Sequence, residues 1–249
     1  MKSEVSDTRH PTPDPLLWKP GQFKALLFDV DGTLYRQKPL RKAMMVRLGH
    51  SYVLRPLTGW RVTQILSAYR KAQEVLRETN TEGTDLAQAQ LQWAAEKTGA
   101  AVQEIQQHVE FWMEQAPLPI LARFVQPSLV DFLQSAQTAG VRMGVFSDYP
   151  AEAKLEAMGL KNYFEVMVAA QEPEVGRFKP HPRGIEVGLE RLGVAPHEVL
   201  YIGDRAEVDA VAAAHAGVAC AILSKEPSSQ ATLTYRQVAG YAELKSLLY

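Results

Sequence analysis

Short apolar segments, each ending near a carboxylate, a serine or a glycine, recur along this 249-residue chain. They have the length of buried strands, and helical patterns lie between several of them, as at residues 129–139 and 182–192. Strands that alternate with helices are typical of a parallel sheet. We therefore predict an α/β fold. The predicted strands are residues 24–29, 141–147, 165–169, 199–203 and 218–223.

More than a hundred residues separate the first two predicted strands, far more than a parallel crossover needs. We therefore predict a helical cap over residues 37–121, inserted into a core formed by residues 21–36 and 122–249. The segment Pro117–Pro119 is predicted to be the return linker. Two apolar helical faces support the prediction of a helical cap. One is formed by Val62, Ile65, Leu66, Tyr69 and Leu76, and the other by Val102, Ile105, Val109 and Trp112. The tryptophans expected in the core of the cap are Trp60, Trp93 and Trp112.

The composition excludes several classes of protein and partner. Residues 1–20 contain four prolines among polar side chains, which predicts a flexible leader. A single cysteine, Cys220, and the lack of a long apolar run give no sign of secretion or of a membrane span, so we expect a cytoplasmic protein. The 27 basic and 28 acidic side chains create no overall field for nucleic acid or an anionic membrane surface. Any anionic ligand must therefore be held locally.

Acidic residues follow two of the predicted strands. Asp29 and Asp31 end the first strand two residues apart, so both side chains can point the same way. Asp204 and Asp209 follow the strand at 199–203. Open α/β sheets bind ligands beyond the carboxyl ends of their strands. If the two strands are neighbours, four carboxylates converge, and their mutual repulsion calls for a hard divalent cation such as Mg²⁺.

Two further residues have the opposite chemistry. Ser147 ends the strand at 141–147, and Lys179 lies in a proline-restricted loop before the predicted helix at 182–192. A hydroxyl and an ammonium group are suited to the oxygens of a phosphate. Asp148, which follows Ser147, is predicted to cap a helix, with a contact to the substrate as the alternative.

Four short motifs in this order resemble those of the haloacid dehalogenase superfamily, and specifically its phosphatase-type members with a helical cap. These include phosphoglycolate phosphatase-like and β-phosphoglucomutase-like proteins. The motifs are DVDGTL at residues 29–34, Ser147, Lys179, and GDRAEVD at residues 203–209. The resemblance covers nearly the whole chain after residue 20. It implies a Rossmann-like three-layer α/β/α core with an inserted helical cap.

The resemblance also implies a role for each catalytic residue. Asp29 is the expected nucleophile, which attacks phosphorus to form an aspartyl-phosphate that water hydrolyses. Asp31 is the expected general acid and base, and crowding by the other acids is expected to raise its pKa. Ser147 and Lys179 are expected to bind phosphoryl oxygens, and Thr33 to support the turn or the phosphate.

The resemblance further implies a Mg²⁺ ion as cofactor. Its expected ligands are the Asp29 carboxylate, the backbone carbonyl of Asp31 and the Asp204 carboxylate. Asp209 either binds the ion directly or orients a water bound to it. Two departures from the family pattern, His181 after the lysine motif and Val208 before the last aspartate, remove no catalytic group.

The leading hypothesis is a Mg²⁺-dependent phosphatase that acts on a small phosphorylated metabolite, such as phosphoglycolate or a sugar phosphate. The first alternative is a phosphoglucomutase-like phosphoryl transfer, which shares the aspartyl-phosphate step. Haloacid dehalogenation fits less well, because it needs no Mg²⁺ and leaves the other acids unexplained. A catalytically silent binding module is disfavoured by the intact pair Asp29 and Asp31. The sequence does not indicate an oligomeric state.

Overall fold

The computed structural model of this protein describes residues 18–79, 85–224 and 235–249. Most of the predicted leader, residues 1–17, therefore lies outside the described residues. Trp18, near the end of that leader, is buried and packs edge-on against Phe23, with 5.6 Å between ring centroids. The apolar core thus includes Trp18, which lies before the predicted boundary at residue 21, because Trp18 has an apolar surface to cover.

The described residues form a six-stranded parallel sheet in the order β3-β2-β1-β4-β5-β6. Its five predicted strands are confirmed. The sixth was not predicted, because three of its four residues are only partly buried and form no apolar run. The strands are β1 (Ala25–Phe28), β2 (Arg142–Ser147), β3 (Val166–Ala169), β4 (Val199–Gly203), β5 (Ala219–Leu223) and β6 (Tyr235–Val238).

Helices occupy both the segment between β1 and β2 and the connections of the sheet. The first group is α1 (Gln37–Ser51), α2 (Pro56–Thr79), α3 (Leu86–Thr98), α4 (Val102–Val109) and α5 (Leu118–Leu121). The second group is α6 (Leu129–Thr138), α7 (Glu152–Ala157), α8 (Arg183–Leu192), α9 (Val211–His215) and α10 (Tyr241–Leu248). Short π-helical turns cover Glu110–Gln115 and Ala206–Ala210.

The side chains of the sheet alternate between two apolar layers. In β1, Leu26 and Phe28 pack with α6 and α10, whereas Ala25 and Leu27 pack with α8 and α9. All four residues are fully buried, as expected for a parallel strand covered on both faces. The core is therefore a three-layer α/β/α sandwich, which confirms the predicted fold class.

The helices between β1 and β2, called here the helical insertion (residues 37–121), have an apolar cluster of their own. Most of the two predicted faces meet in it: Val62, Ile65, Leu66 and Tyr69 on one side, and Ile105, Val109 and Trp112 on the other. Leu76 packs instead against the apolar layer of α8 and α9, and Val102 does not belong to the cluster. Of the three tryptophans predicted in this cluster, only Trp112 belongs to it. Trp93 is half-buried outside the cluster, and Trp60 is 65% exposed on the outer face of α2. The segment Pro117–Pro119 is also not a plain linker, since Leu118 begins α5. The division into a cap and a core domain stays a prediction.

None of the described helices combines the length and the apolar character that a membrane span requires.

Candidate active site

The order of the strands reverses at the centre of the sheet, where β2 and β3 extend it on one side of β1 and β4, β5 and β6 extend it on the other. β1 pairs with β2 on one side and with β4 on the other, so the loops that leave these three strands converge at one edge. Asp29, Ser147 and Asp204 stand at those strand ends. A cavity of about 850 Å³ opens there, with the strand ends on one side and the helical insertion on the other. This is the position at which open α/β sheets bind ligands.

Asp29 lies at the bottom of the cavity and is 4% exposed. Its Oδ2 accepts a hydrogen bond of 2.9 Å from the Thr33 hydroxyl, and its Oδ1 is ion-paired with Lys179. Burial raises the pKa of Asp29 well above its ordinary value, although the charge of Lys179 acts against this. Both carboxylate oxygens are therefore held in fixed positions.

Thr33 is fully buried and does not line the cavity, and its hydroxyl donates a hydrogen bond to Asp29. This contact favours the first of its two predicted roles, support of the turn after β1, and a contact with phosphate stays a prediction.

Asp29, Asp204 and Asp209 form a cluster in which one oxygen of each carboxylate lies within 4.8 Å of the others. Asp209 is well satisfied: its Oδ1 accepts from Lys179 at 2.8 Å and from Tyr201 at 3.1 Å, and its Oδ2 from two backbone N–H groups. The Asp204 carboxylate accepts no hydrogen bond from any described residue. Burial, together with the nearby Asp209, raises the pKa of Asp204 to about 7. The charges of Lys179 and Arg205 act to lower this pKa but do not offset the burial.

The donor set of this cluster suits a hard divalent cation. All three groups are carboxylates, and oxygen ligands are those that Mg²⁺ prefers. Gly32 makes room for the Asp204 carboxylate, since a Cβ at this position would overlap the Asp204 side chain. Gly32 also has a φ of +107°, which few other residues adopt. The residues present therefore fit a metal ion held between β1 and β4.

Asp31 does not join this cluster through its side chain. Its Oδ1 accepts from the Tyr35 hydroxyl at 2.5 Å and from Lys154 at 2.6 Å. Burial acts to raise the pKa of Asp31, but Lys154 and Tyr35 outweigh it, and the net pKa is lowered. The prediction of a raised pKa is therefore wrong, because Lys154 lies 123 positions away in the sequence and gave no local signal.

Ser147 and Lys179 line the same cavity as Asp29. The Ser147 hydroxyl is buried and accepts a bond of 3.3 Å from the backbone N–H of Tyr149. Burial acts to lower the pKa of Lys179, but the charges of Asp209 and Asp29 more than offset this and raise it well above its ordinary value. Lys179 is therefore a permanent cation that joins the predicted nucleophile to Asp209.

Asp148 connects the helical insertion to this site. Its Oδ2 accepts from Gln73 at 2.8 Å and is ion-paired with Arg77, both on α2, while its Oδ1 accepts from the backbone N–H of Lys179 at 3.3 Å. The prediction that Asp148 caps a helix is wrong: α7 begins at Glu152, and the preceding residue is Ala151. The carboxylate is instead used in long-range contacts.

Sequence reasoning missed the partners that tune the predicted residues. Only Tyr35 had a local signal, because it lies four positions after Asp31 on the same turn. The others come from distant segments and are identified only by the fold. They are Gln73, Arg77, Lys154 and Tyr201.

Comparisons with known proteins show what this chain is similar to. The model of the haloacid dehalogenase-like hydrolase family matches residues 23–217. A glyceraldehyde 3-phosphate phosphatase of Methanopyrus kandleri is 28% identical over 202 residues, which are 78% of this chain and 81% of that protein. A phosphoglycolate phosphatase of Escherichia coli K12 is 33% identical over 95 residues, which are only 36% of this chain and 37% of that protein.

Solved structures show the same fold. A 2-haloacid dehalogenase from Pseudomonas syringae superposes with a TM-score of 0.63 at 19% identity, over 90% of this chain and 97% of that one. At this identity the likeness establishes the fold and leaves the reaction to be argued from the site.

Proposed function

The chain belongs to the haloacid dehalogenase-like hydrolase family, and from that premise we propose that it is a Mg²⁺-dependent phosphatase that hydrolyses a small phosphomonoester through an aspartyl-phosphate. One observation carries this proposal. A buried carboxylate, Asp29, shares one end of a cavity with the cation Lys179 and with two further acids, Asp204 and Asp209. The names of the two relatives, both phosphatases, support the same reaction class.

Asp29 performs the first chemical step. One of its oxygens forms a bond to phosphorus while the bond from phosphorus to the ester oxygen breaks. The Thr33 hydroxyl holds the other oxygen, which fixes the direction of attack. Ser147 and Lys179 donate hydrogen bonds to the phosphoryl oxygens, which keep their negative charge during the transfer.

Asp31 handles the proton. It gives a proton to the departing alkoxide and later takes one from the water that attacks the aspartyl-phosphate. Its contacts with Lys154 and Tyr35 favour the ionised form in the free protein. A phosphate dianion in the cavity adds negative charge nearby and so raises the pKa of Asp31 toward the range that the acid step needs.

Asp29, Asp204 and Asp209 would hold the Mg²⁺ ion, together with the backbone carbonyl of Asp31 that the family resemblance implies. When bound, the ion supplies positive charge beside the phosphoryl oxygens and the acids. The dehalogenase alternative leaves Asp204 without a role, since that reaction needs no cation there.

The substrate that we propose carries a second negative group on its alcohol, as phosphoglycolate does. Arg41 and Arg70 of the helical insertion line the cavity, and neither lies within ion-pair distance of a described carboxylate. Burial lowers the pKa of Arg70, and the neighbouring Arg41 lowers it further. A carboxylate on the substrate would relieve the repulsion between Arg41 and Arg70.

The proposal also includes a cytoplasmic location for the protein.

A panel of phosphomonoesters tests this function. Purified protein with Mg²⁺ is expected to release phosphate from at least one of phosphoglycolate, glyceraldehyde 3-phosphate and a set of sugar phosphates, and Asp29→Asn is expected to release none. No release from any ester would reject a phosphatase. Isomerised product in phosphorus-31 NMR would indicate a mutase, and chloride release from a 2-chloro acid without metal would indicate a dehalogenase.

A further inference from the structure

Exposed apolar side chains are concentrated at one end of the helical insertion. Nine large hydrophobic side chains are exposed among the described residues, and six of them fall within residues 45–60. Leu54 and Leu57 are 91% and 85% exposed. Single exposed apolar residues are ordinary, but a concentration of them is typical of a surface that binds something. The six residues, called here the apolar ridge, are Met45, Val46, Val53, Leu54, Leu57 and Trp60.

The first part of the ridge lies on the outer face of α1. Leu40, Met44 and Leu48 follow one another at intervals of four residues and pack inwards against the apolar clusters. Met45 and Val46 follow Met44 directly, so they lie on the part of the helix that is turned away from these clusters. Their exposed fractions are 73% and 61%.

The turn between α1 and α2 continues the ridge. Gly59 lies so close to Tyr52 that a Cβ at Gly59 would overlap the Tyr52 side chain, so the end of α1 is packed against the start of α2. Leu54, Leu57 and Trp60 follow at intervals of three residues, a spacing that makes side chains neighbours on a helix surface. The exposed apolar side chains of both helices are therefore joined across this turn.

The ridge belongs to a part of the chain that carries only positive charge. Residues 36–73 contain nine lysines and arginines and no aspartate or glutamate. Of these nine, Arg61 is ion-paired with Glu104, and the others form no ion pair with a described residue. Lys42, Arg47 and Arg55 are exposed and lie next to ridge residues in the helix or the turn. The charges of the whole chain balance, but the charges around the ridge do not.

This combination of exposed apolar and positive groups favours an anionic lipid surface over other occupants. In a symmetric dimer the ridge would face its own copy, which would bring Lys42, Arg47 and Arg55 of both chains together. A folded partner would need a groove that fits the two protruding leucines, whereas a bilayer has no fixed shape. Apolar residues at the acyl boundary, tryptophan at the level of the headgroups and flanking lysines and arginines are typical of interfacial segments.

We propose that the apolar ridge docks this protein on the surface of a bilayer that contains anionic lipids. Leu54 and Leu57 enter the boundary between the headgroups and the acyl chains, and Trp60 lies at the level of the headgroups. Lys42, Arg47 and Arg55 contact the lipid phosphates. The docking is independent of the proposed phosphatase function, since no ridge residue lines the active-site cavity.

Co-sedimentation of the full chain with lipid vesicles tests the proposal. Without Mg²⁺, the protein is expected to sediment with vesicles that contain about one third phosphatidylglycerol, and about tenfold less with pure phosphatidylcholine. Salt at about 0.5 M is expected to weaken the binding, because it screens the charges of the lysines and arginines. No sedimentation with the anionic vesicles, or equal sedimentation with both kinds, overturns the proposal.

Surface variants connect the binding to the ridge. The double variant Leu54→Ser/Leu57→Ser is expected to bind the anionic vesicles at least about tenfold more weakly, since two apolar side chains no longer enter the bilayer. Val130→Ser, at a valine of α6 that is 41% exposed, is the matched control and is expected to bind like the wild type. Undiminished binding of the double variant, or an equal loss in the control, overturns the proposal.

Tryptophan fluorescence locates Trp60 in the complex. Anionic vesicles are expected to shift the emission of the wild type to shorter wavelength, because Trp60 leaves water. Trp60→Phe is expected to bind the vesicles without this shift. A shift that persists in Trp60→Phe would show that another part of the protein enters the bilayer, and it overturns the proposal.

Two other occupants have outcomes of their own. A wild-type dimer in sedimentation velocity that Leu54→Ser/Leu57→Ser converts to a monomer, without vesicle binding, assigns the ridge to a second copy. Binding of an amphipathic helical peptide of leucine and glutamate, without vesicle binding, assigns it to an acidic protein segment. Either result overturns the docking on lipid.

Discussion

At the residue scale, the pKa of each acid in the site depends on whether a lysine is ion-paired with it. Lys179 is ion-paired with both Asp29 and Asp209, and Lys154 is ion-paired with Asp31. Asp204 is bound by neither. The two acids of the DxD motif therefore differ: the pKa of Asp29 is raised mainly by burial, and the pKa of Asp31 is lowered by a partner. Each difference has a measurable consequence.

Lys154→Met is expected to change the pH profile of the enzyme. Without this ammonium group, the pKa of Asp31 rises, because Lys154 is the main group that favours its ionised form. In the proposed mechanism Asp31 is protonated for the step that forms the aspartyl-phosphate, so the alkaline limb of kcat/KM is expected to move to higher pH by about one unit. Lys161→Met, at an exposed lysine paired with Glu152 and Glu156, is the control. A profile that stays in place would show that Asp31 is not the acid.

Asp204→Asn is expected to stabilise the metal-free protein above neutral pH. The pKa of Asp204 is higher in the folded protein, about 7, than in the unfolded chain, so the stability it confers is present at low pH and lost as the pH rises toward 7. Asparagine does not titrate.

Thermal unfolding in a chelator checks this prediction. The melting temperature of the variant exceeds that of the wild type by an amount that widens between pH 5 and pH 7, to several degrees, and is constant above about pH 8. A difference that does not depend on pH would contradict the raised pKa.

At the scale of elements, close packing of α8 on the sheet depends on glycine. A Cβ at Gly184 would overlap the Phe146 ring of β2, whereas one at Gly49 in α1 has open space around it. Gly184→Ala is therefore expected to lower the free energy of unfolding by about 1–3 kcal/mol, and Gly49→Ala to raise it by about 0.5–1 kcal/mol. Denaturant unfolding of the two variants measures both effects. Equal stability of the two would mean that α8 can move away from the sheet at little cost.

The elements also show what the sequence could predict. Five strands and most of the faces of α2 and α4 were predictable, because burial leaves a continuous apolar run in a strand covered on both sides and a period in a helix. β6 was not, since its partly buried residues form no apolar run. Trp60 was misplaced because its position in the helix was not compared with that of the other apolar residues. It stands two positions before Val62, which puts it on the face of α2 opposite the apolar cluster.

The same distinction holds for the site. The acids, Ser147 and Lys179 stand at strand or helix boundaries and were named from short motifs. Lys154, Gln73 and Arg77 belong to other elements, and only the packing of the helical insertion and α7 against the strand ends brings them to Asp31 and Asp148. Charge partners of this kind leave no local pattern, which is why the pKa of Asp31 was predicted with the wrong sign.

At the scale of the whole molecule, the metal is expected to act as a clamp between β1 and β4. Its expected ligands come from the loops after both strands, so binding stabilises the folded protein by linkage. Mg²⁺ at about a hundred times its dissociation constant is expected to add about 2.7 kcal/mol and to raise the melting temperature of the wild type by several degrees. In Asp204→Asn the increase is expected to be much smaller. Equal increases in both proteins would show that Mg²⁺ binds elsewhere.

The nucleophile itself is tested most directly by a phosphoryl mimic. Beryllofluoride forms an acyl adduct with an aspartate that is arranged to accept a phosphoryl group beside a divalent ion. In fluorine-19 NMR with Mg²⁺, the wild-type protein is expected to give a bound resonance that is absent from Asp29→Asn and weakened in Asp204→Asn. No bound resonance in the wild type, or the same resonance in Asp29→Asn, would contradict the assignment of Asp29 as the group that receives phosphorus.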